Sequence, residues 1–135
     1  MHPRSEIRTV LRTMLAHSFP TWTVLRAWTQ NIDPSALPAV AVFTPRETQR
    51  QDGVRSYSAE TEVFVQMRRS GGDDLEDTLD DDSTLIECCV MPVLLEIDEH
   101  AQLVSTDIDI GTEGEHRIGK LNMAFRTMRL FDKTY

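Results

Sequence analysis

Apolar residues recur at helical spacing in two stretches of the chain and alternate with polar ones in several others. Between residues 5 and 16, Ile7, Val10, Leu11, Met14 and Leu15 sit at i, i+3, i+4, i+7 and i+8, with Arg8 and Arg12 on the opposite side. This spacing predicts a first helix, capped by Ser5 or begun a turn earlier at Pro3, and closed by Phe19-Pro20. Residues 21–29, TWTVLRAWT, favour a strand with Trp22, Val24, Arg26 and Trp28 on one face. Asn31 to Pro38 carries two prolines and reads as a loop, and the apolar run Ala39 to Phe43 as a short interior strand. Thr44 to Ser56, TPRETQRQDGVRS, is polar throughout and reads as a flexible excursion around Asp52-Gly53. Tyr57 to Met67 then alternates more regularly than any other segment, with Tyr57, Ala59, Thr61, Val63, Val65 and Met67 facing one way.

Ser70-Gly71-Gly72 ends that strand, and DDLEDTLDDDSTLIECCVMPVLLEI follows. Leu75, Leu79, Ile86, Val90, Val93 and Ile97 keep a helical stripe across it. Pro92 cannot donate to the carbonyl of Cys88, which predicts a kink or two helices joined end to end. Leu103 to Ile110 alternates again, with Val104, Thr106, Ile108 and Ile110 inward and Asp107 and Asp109 outward. Gly111 to Gly119 reads as a polar turn, and Leu121 to Phe131 as a last strand with Leu121, Met123 and Phe125 as its apolar face. The order is helix, three strands, long helix, two strands. It predicts one α+β domain over residues 1–135, a two-layer sandwich with a mixed or antiparallel sheet of about five strands. The two main helices, at 5–16 and 75–97, should cover one face of that sheet.

Composition adds limits on function. The chain is 40% hydrophobic and 27% charged, enough apolar matter for a core and no run long enough to span a bilayer. The opening MHPRSEIRTV lacks the apolar centre of a signal peptide, so synthesis in the cytoplasm and a soluble life are expected. Cys88 and Cys89 are adjacent in an apolar run and are expected to be reduced, buried thiols. Charge is unevenly spread: residues 1–72 carry +3 and residues 73–135 carry −11. That balance argues against tight binding to nucleic-acid phosphates. Halves placed on opposite flanks would favour head-to-tail contact between copies.

Candidate chemistry is thin. Seven of the ten residues from Asp73 to Asp82 are acidic. Acids favour the positive end of a helix, and the run most simply starts one in water. The same helical spacing allows Asp73, Asp77, Asp80 and Asp81 to attract Mg²⁺ loosely, although the central glycine of a calcium loop is missing. Asp107 and Asp109 share a strand face and would be the centre of a small metal-dependent hydrolase or nuclease, with an acidic residue of the helix as a third group. His2, His17, His100 and His116 show no metal-ligand spacing, and no nucleophile motif or phosphate-binding glycine loop occurs. No resident cofactor and no enzymatic activity are therefore expected.

One resemblance extends over nearly the whole chain. Leu37-Pro38-Ala39-Val40-Ala41-Val42-Phe43 follows an amphipathic helix, Ala59-Glu60-Thr61-Glu62-Val63-Phe64-Val65 follows a polar segment, and Val90-Met91-Pro92-Val93 lies in the next helix. In this order, and with the strand Leu121 to Phe131 behind them, these elements resemble the tail terminator family of long-tailed phages (minor tail protein U). The density of acids from Asp73 to Asp82 and the length of the tail from Arg129 to Tyr135 depart from the family pattern. The resemblance implies a structural virion protein that forms a six-membered ring on the finished tail tube, stops its polymerisation and presents the surface for head attachment. Its implied partners are copies of itself, a tail-tube protein and a head-completion protein, with DNA only passing through the lumen and no membrane. The protein would act in the virion tail after assembly in the host cytoplasm. On that basis Arg46, Arg50 and Arg55 of the polar segment, and Asp77, Asp80 and Asp81 of the acidic run, are the expected assembly contacts, with a possible Mg²⁺ dependence. Another head-tail connector or a tail-tube protein is the alternative of the same class.

Overall fold

The strictest alternation in the sequence forms the centre of the sheet. In the computed structural model, which describes residues 2–28, 32–113 and 116–133, the chain runs α1 (Pro3–Ser18), β1 (Thr23–Leu25), β2 (Ala39–Gln51), β3 (Ser56–Ser70), α2 (Leu75–Ile97), β4 (Gln102–Glu113) and β5 (His116–Asp132). The sheet order is β1-β2-β3-β5-β4, with β1 parallel to β2 and every other pair antiparallel. Because side chains alternate across a strand, Val63, Val65 and Met67 of β3 join Val40 and Val42 of β2 and Leu121, Met123 and Phe125 of β5 on one face. Both helices cover that face, through Ile7, Leu11 and Leu15 of α1 and Leu75, Leu79, Ile86, Val90 and Leu94 of α2. Each fully buried aliphatic or aromatic side chain there contributes on the order of 1.5–3 kcal/mol. The result is the expected α+β sandwich of two helices on a mixed five-stranded sheet.

Several local expectations are corrected. The polar segment 44–56 is no loose excursion: β2 continues through it to Gln51, and only Asp52 to Arg55 turn before β3. Pro45 lacks an N–H, so the ladder breaks between Phe43 and Arg46 and then resumes with Glu47 opposite Thr61 and Gln49 opposite Ala59. Past Ala41, β2 has no neighbour on its other side among the described residues, a position that tolerates both proline and an all-polar strand. The strand predicted over 21–29 shrinks to Thr23–Leu25. Trp22 and Val24 pack on the core, but Trp28 lies on the other side of the sheet, its ring under Arg68 and its Nε1 donating to Gln66; Thr29 lies outside the described residues. Most of the predicted 111–119 turn is strand, and its centre, Gly114 and Glu115, lies outside the described residues. In β4 Ile108 and Ile110 face the core as expected, but a bulge between Leu103 and Ser105 turns Val104 out to solvent and Leu103 packs on the core in its place.

The helices also differ in detail. His2, not Ser5, caps α1, its ring nitrogen accepting from the Arg4 N–H, while Pro3 takes the first helical turn. Val10 and Met14 are exposed, so the buried stripe of α1 is narrower than its apolar spacing. Helix α2 runs through Pro92 as one element. The carbonyl that Pro92 leaves free belongs to Cys88, which is exposed, so water can satisfy it. That exposure also corrects the expectation of buried thiols, although Cys89 is half-buried against Ser18.

Two close fits seat the first turns of α2. Gly119 of β5 leaves room for Leu79 and Leu75; a Cβ there would come within 2.5 Å of Leu79 Cδ1 and 3.1 Å of Leu75 Cγ. Asp82, on the buried side of the helix, takes both arms of the Arg69 guanidinium, Nε at 2.7 Å and Nη2 at 3.1 Å. Gly119→Val should cost about 1–3 kcal/mol through overpacking, read as a lowered midpoint in chemical denaturation. Asp82→Ala leaves the partly exposed Arg69 to rehydrate and should cost about 1–3 kcal/mol in the same measurement.

Candidate functional site

The functional geometry lies in what the two edges of the sheet carry. Helix α1 packs beside β1 and β2 and therefore shares the β1 end of the slab. Residues four apart share a helix face, and Arg8 and Arg12 both turn toward this edge, where Arg26 follows β1. Arg8 is half-buried; one arm donates to the buried hydroxyl of Thr44 and the other to Ser5 Oγ at 3.0 Å. Arg12 and Arg26 flank an open groove of about 300 Å³ whose other lining residues are Thr9, Thr13, Ala16 and Val24. Burial, and then the charges of Arg8 and Arg26, pull the Arg12 guanidinium below its ordinary value. Its Nε is buried without a hydrogen-bond partner, and none of the three arginines forms an ion pair among the described residues.

The opposite end is acidic. Helix α2 packs over β5 and β4 as well as β3, and Asp73, Asp74, Glu76, Asp77, Asp80 and Asp81 are all exposed on its first turns and approach. Asp73 meets Arg117 at 3.5 Å. Among the described residues, Glu76, Asp77, Asp80 and Asp81 have no cationic partner. Edge strand β4 adds Asp107 and Asp109 on the face away from the helices, where Asp109 lies opposite Lys120 of β5. These two carboxylates and the helix acids therefore lie on opposite layers. Among the described residues no three His, Cys, Asp or Glu side chains are grouped to hold a metal ion, including Asp73, Asp77, Asp80 and Asp81.

The third feature is the far end of the β2–β3 hairpin, which with β5 extends past Val42, Val63 and Phe125 of the main apolar cluster and past the buried Ala59. Arg46 stands on the helix-free face opposite Glu62, and Arg50 pairs with Asp52 at 2.8 Å. Arg55 lies in the tip beside Val54, and its carbonyl accepts from the Lys133 N–H. The three arginines expected to act together are thus spread along the arm and not gathered. Tyr57 and Phe131 stack across the arm, with Lys133 over both rings. Between the N-terminus of α1 and the C-terminus of α2, an apolar cleft of about 400 Å³ opens onto the base of the arm, lined by Ile7, Val10, Ile97 and Thr61 among others.

The arginine groove escaped the sequence reading because Arg26 is far from Arg8 and Arg12 in the chain. The i, i+4 pair on a helix was the available signal. Asp82 was counted with the solvent-facing acids, although its place between Leu79 and Ile86 on the buried stripe marks it as different.

At the base of the arm, Glu47 Oε1 accepts from Arg129 Nη2 at 3.2 Å and its Oε2 from Gln49 at 3.2 Å. Burial raises the Glu47 carboxyl, but those bonds and the charges of Arg129 and Arg4 outweigh it and hold it below its ordinary value of 4.5. A depressed carboxyl stabilises the fold above its unfolded value and loses that contribution as pH falls through the folded one. The melting temperature should therefore fall on acidification below about pH 4.5, and Glu47→Gln should flatten that dependence while lowering stability at neutral pH. Comparison with known protein families and with curated proteins finds no match to this chain.

Proposed function

We propose that the protein is a structural assembly protein of a long-tailed phage, closing head to tail into a six-membered ring on the finished tail tube. One observation carries the reading beyond the motif order that resembles the tail terminators: the two ends of the sheet are unlike and oppositely charged. The arginines of α1, and Arg26 just after β1, stand at one end, and the acids of α2 and β4 at the other. Surfaces that differ but complement each other make heterologous contacts, which form a closed ring when the rotation between copies closes and an open filament when it does not. Like charges also oppose the pairing of two copies through the same end.

In this reading the ring works by shape and surface, with no bond made or broken. One ring face matches the last tube ring and ends polymerisation; the other receives the head-completion protein. The β2–β3 arm, which extends past the core and ends in the exposed Val54, is suited to reach along the tube or across to a neighbour. A ring-lining surface rich in acids would let DNA pass without holding it, because basic side chains are what bind its phosphates.

The test is the mass in solution by light scattering over a wide concentration range, with and without Mg²⁺, followed by addition to polymerising tail tubes. A closed species of six times the 15.4 kDa chain is expected, with tubes held at finished length. A dimer at every concentration, long tubes made by the protein itself, or tubes that grow on unchecked would each defeat the reading.

A further inference from the structure

We infer that the groove between α1 and β1, flanked by Arg12 and Arg26, receives the acidic first turns of α2, at Asp77, Asp80 and Asp81, from a second copy of the chain. The inference rests on the ring reading and names the contact that would build it.

The groove is short of negative charge. Arg8 and Arg26 lie close enough to Arg12 for their charges to act on it, Arg8 and Arg12 are half-buried, and none of the three has a carboxylate partner among the described residues. Arg12 Nε has no acceptor among the described residues. Between the arginines the lining is small, Thr9, Thr13 and Ala16, so a helix can approach closely. The acids of α2 have the converse shortage: four exposed carboxylates, at Glu76, Asp77, Asp80 and Asp81, without a cation among the described residues.

Within one chain the two clusters cannot meet. Leu75 and Leu79 fasten the acidic turns over Gly119 of β5, whereas the groove lies beside β1, and β2 and β3 stand between those strands. The pairing must therefore be between copies. Since every copy carries one groove and one acidic turn, each contact leaves a free half at either end for the next copy. Nucleic-acid phosphate is the rival occupant, but the net charge of −8 opposes it.

The experiment compares the wild type with R12E/R26E and with D77R/D80R/D81R by light scattering at low and high salt. Arg8 is kept, because it bonds the buried Thr44, and R12Q/R26Q with circular dichroism separates lost contact from lost fold. The wild type should associate and weaken at high salt. Each charge-reversed variant alone should need a concentration about tenfold or more higher, since each exposed pair adds only a modest coupling. An equimolar mixture of the two should assemble again, because both its contacts are then between opposite charges. R12E/R26E rings indistinguishable from wild type would overturn the groove assignment and leave the ring reading intact. Loss of assembly without rescue on mixing would overturn the acidic turn as the occupant. Unchanged assembly with lost affinity for duplex DNA would give the groove to phosphate instead. Wild type and mixture both remaining monomeric at every concentration would overturn the contact and the ring together.

Discussion

Strand β3 is paired on both sides along nearly its whole length, to β5 from Ser56 to Ser70 and to β2 from Tyr57 to Arg68. This double ladder is what the other elements depend on. Its inward residues Val63, Val65 and Met67 set the floor on which both helices pack. Its first residues need no helix above them, because backbone hydrogen bonds to two neighbours satisfy their polar groups. That is how a polar ribbon can project from a small core and hold its shape, with the Tyr57–Phe131 stack and the Glu47–Arg129 pair at its base as side-chain support.

Covering one sheet face with two helices divides the slab laterally. Helix α1 takes the β1–β2 side and α2 the β5–β4 side, and each brings its own charge. The seats of α2 explain why its acids remain free. Gly119 allows the helix to sit low on β5, and Arg69 claims Asp82, so the remaining acids point to water. An acidic run that could have been neutralised within the chain is instead displayed at one end. On the other end, Arg8 bonds two hydroxyls, and neither it nor Arg12 or Arg26 finds a carboxylate among the described residues. The molecule is polarised along its sheet, and polarity of that kind is what directional assembly requires.

Much of the fold was legible from local pattern. The alternation of Tyr57 to Met67 and the two helical stripes each select one element, because one period matches one element, although Val10, Met14 and Ile97 of the expected stripes are exposed and Leu94 is buried where Ile97 was expected. The second half of β2 was not legible, for a physical reason. Pro45 interrupts its ladder, and its side chains past Thr44 are polar, so it keeps no apolar face to alternate. Its strand conformation comes from the partner beside it. Val104 was misplaced by the same logic, since a bulge shifts the side-chain period by one residue without any local mark.

The candidate site divides along the same line. The amino-acid sequence by itself determined the supply of charge: an excess of acids after Gly72, an i, i+4 arginine pair on the first helix and no constellation of a known catalytic motif. It also determined the helical and strand periods, because burial on one face imposes them. Only the tertiary structure decided which charges are neighbours. Packing of the helices on the sheet carried Arg26 to Arg12 and gave Asp82 the Arg69 guanidinium as partner, and strand order placed the two unlike clusters at opposite edges. These are contacts between residues distant in the chain, and they follow from how the elements pack, which no local period records.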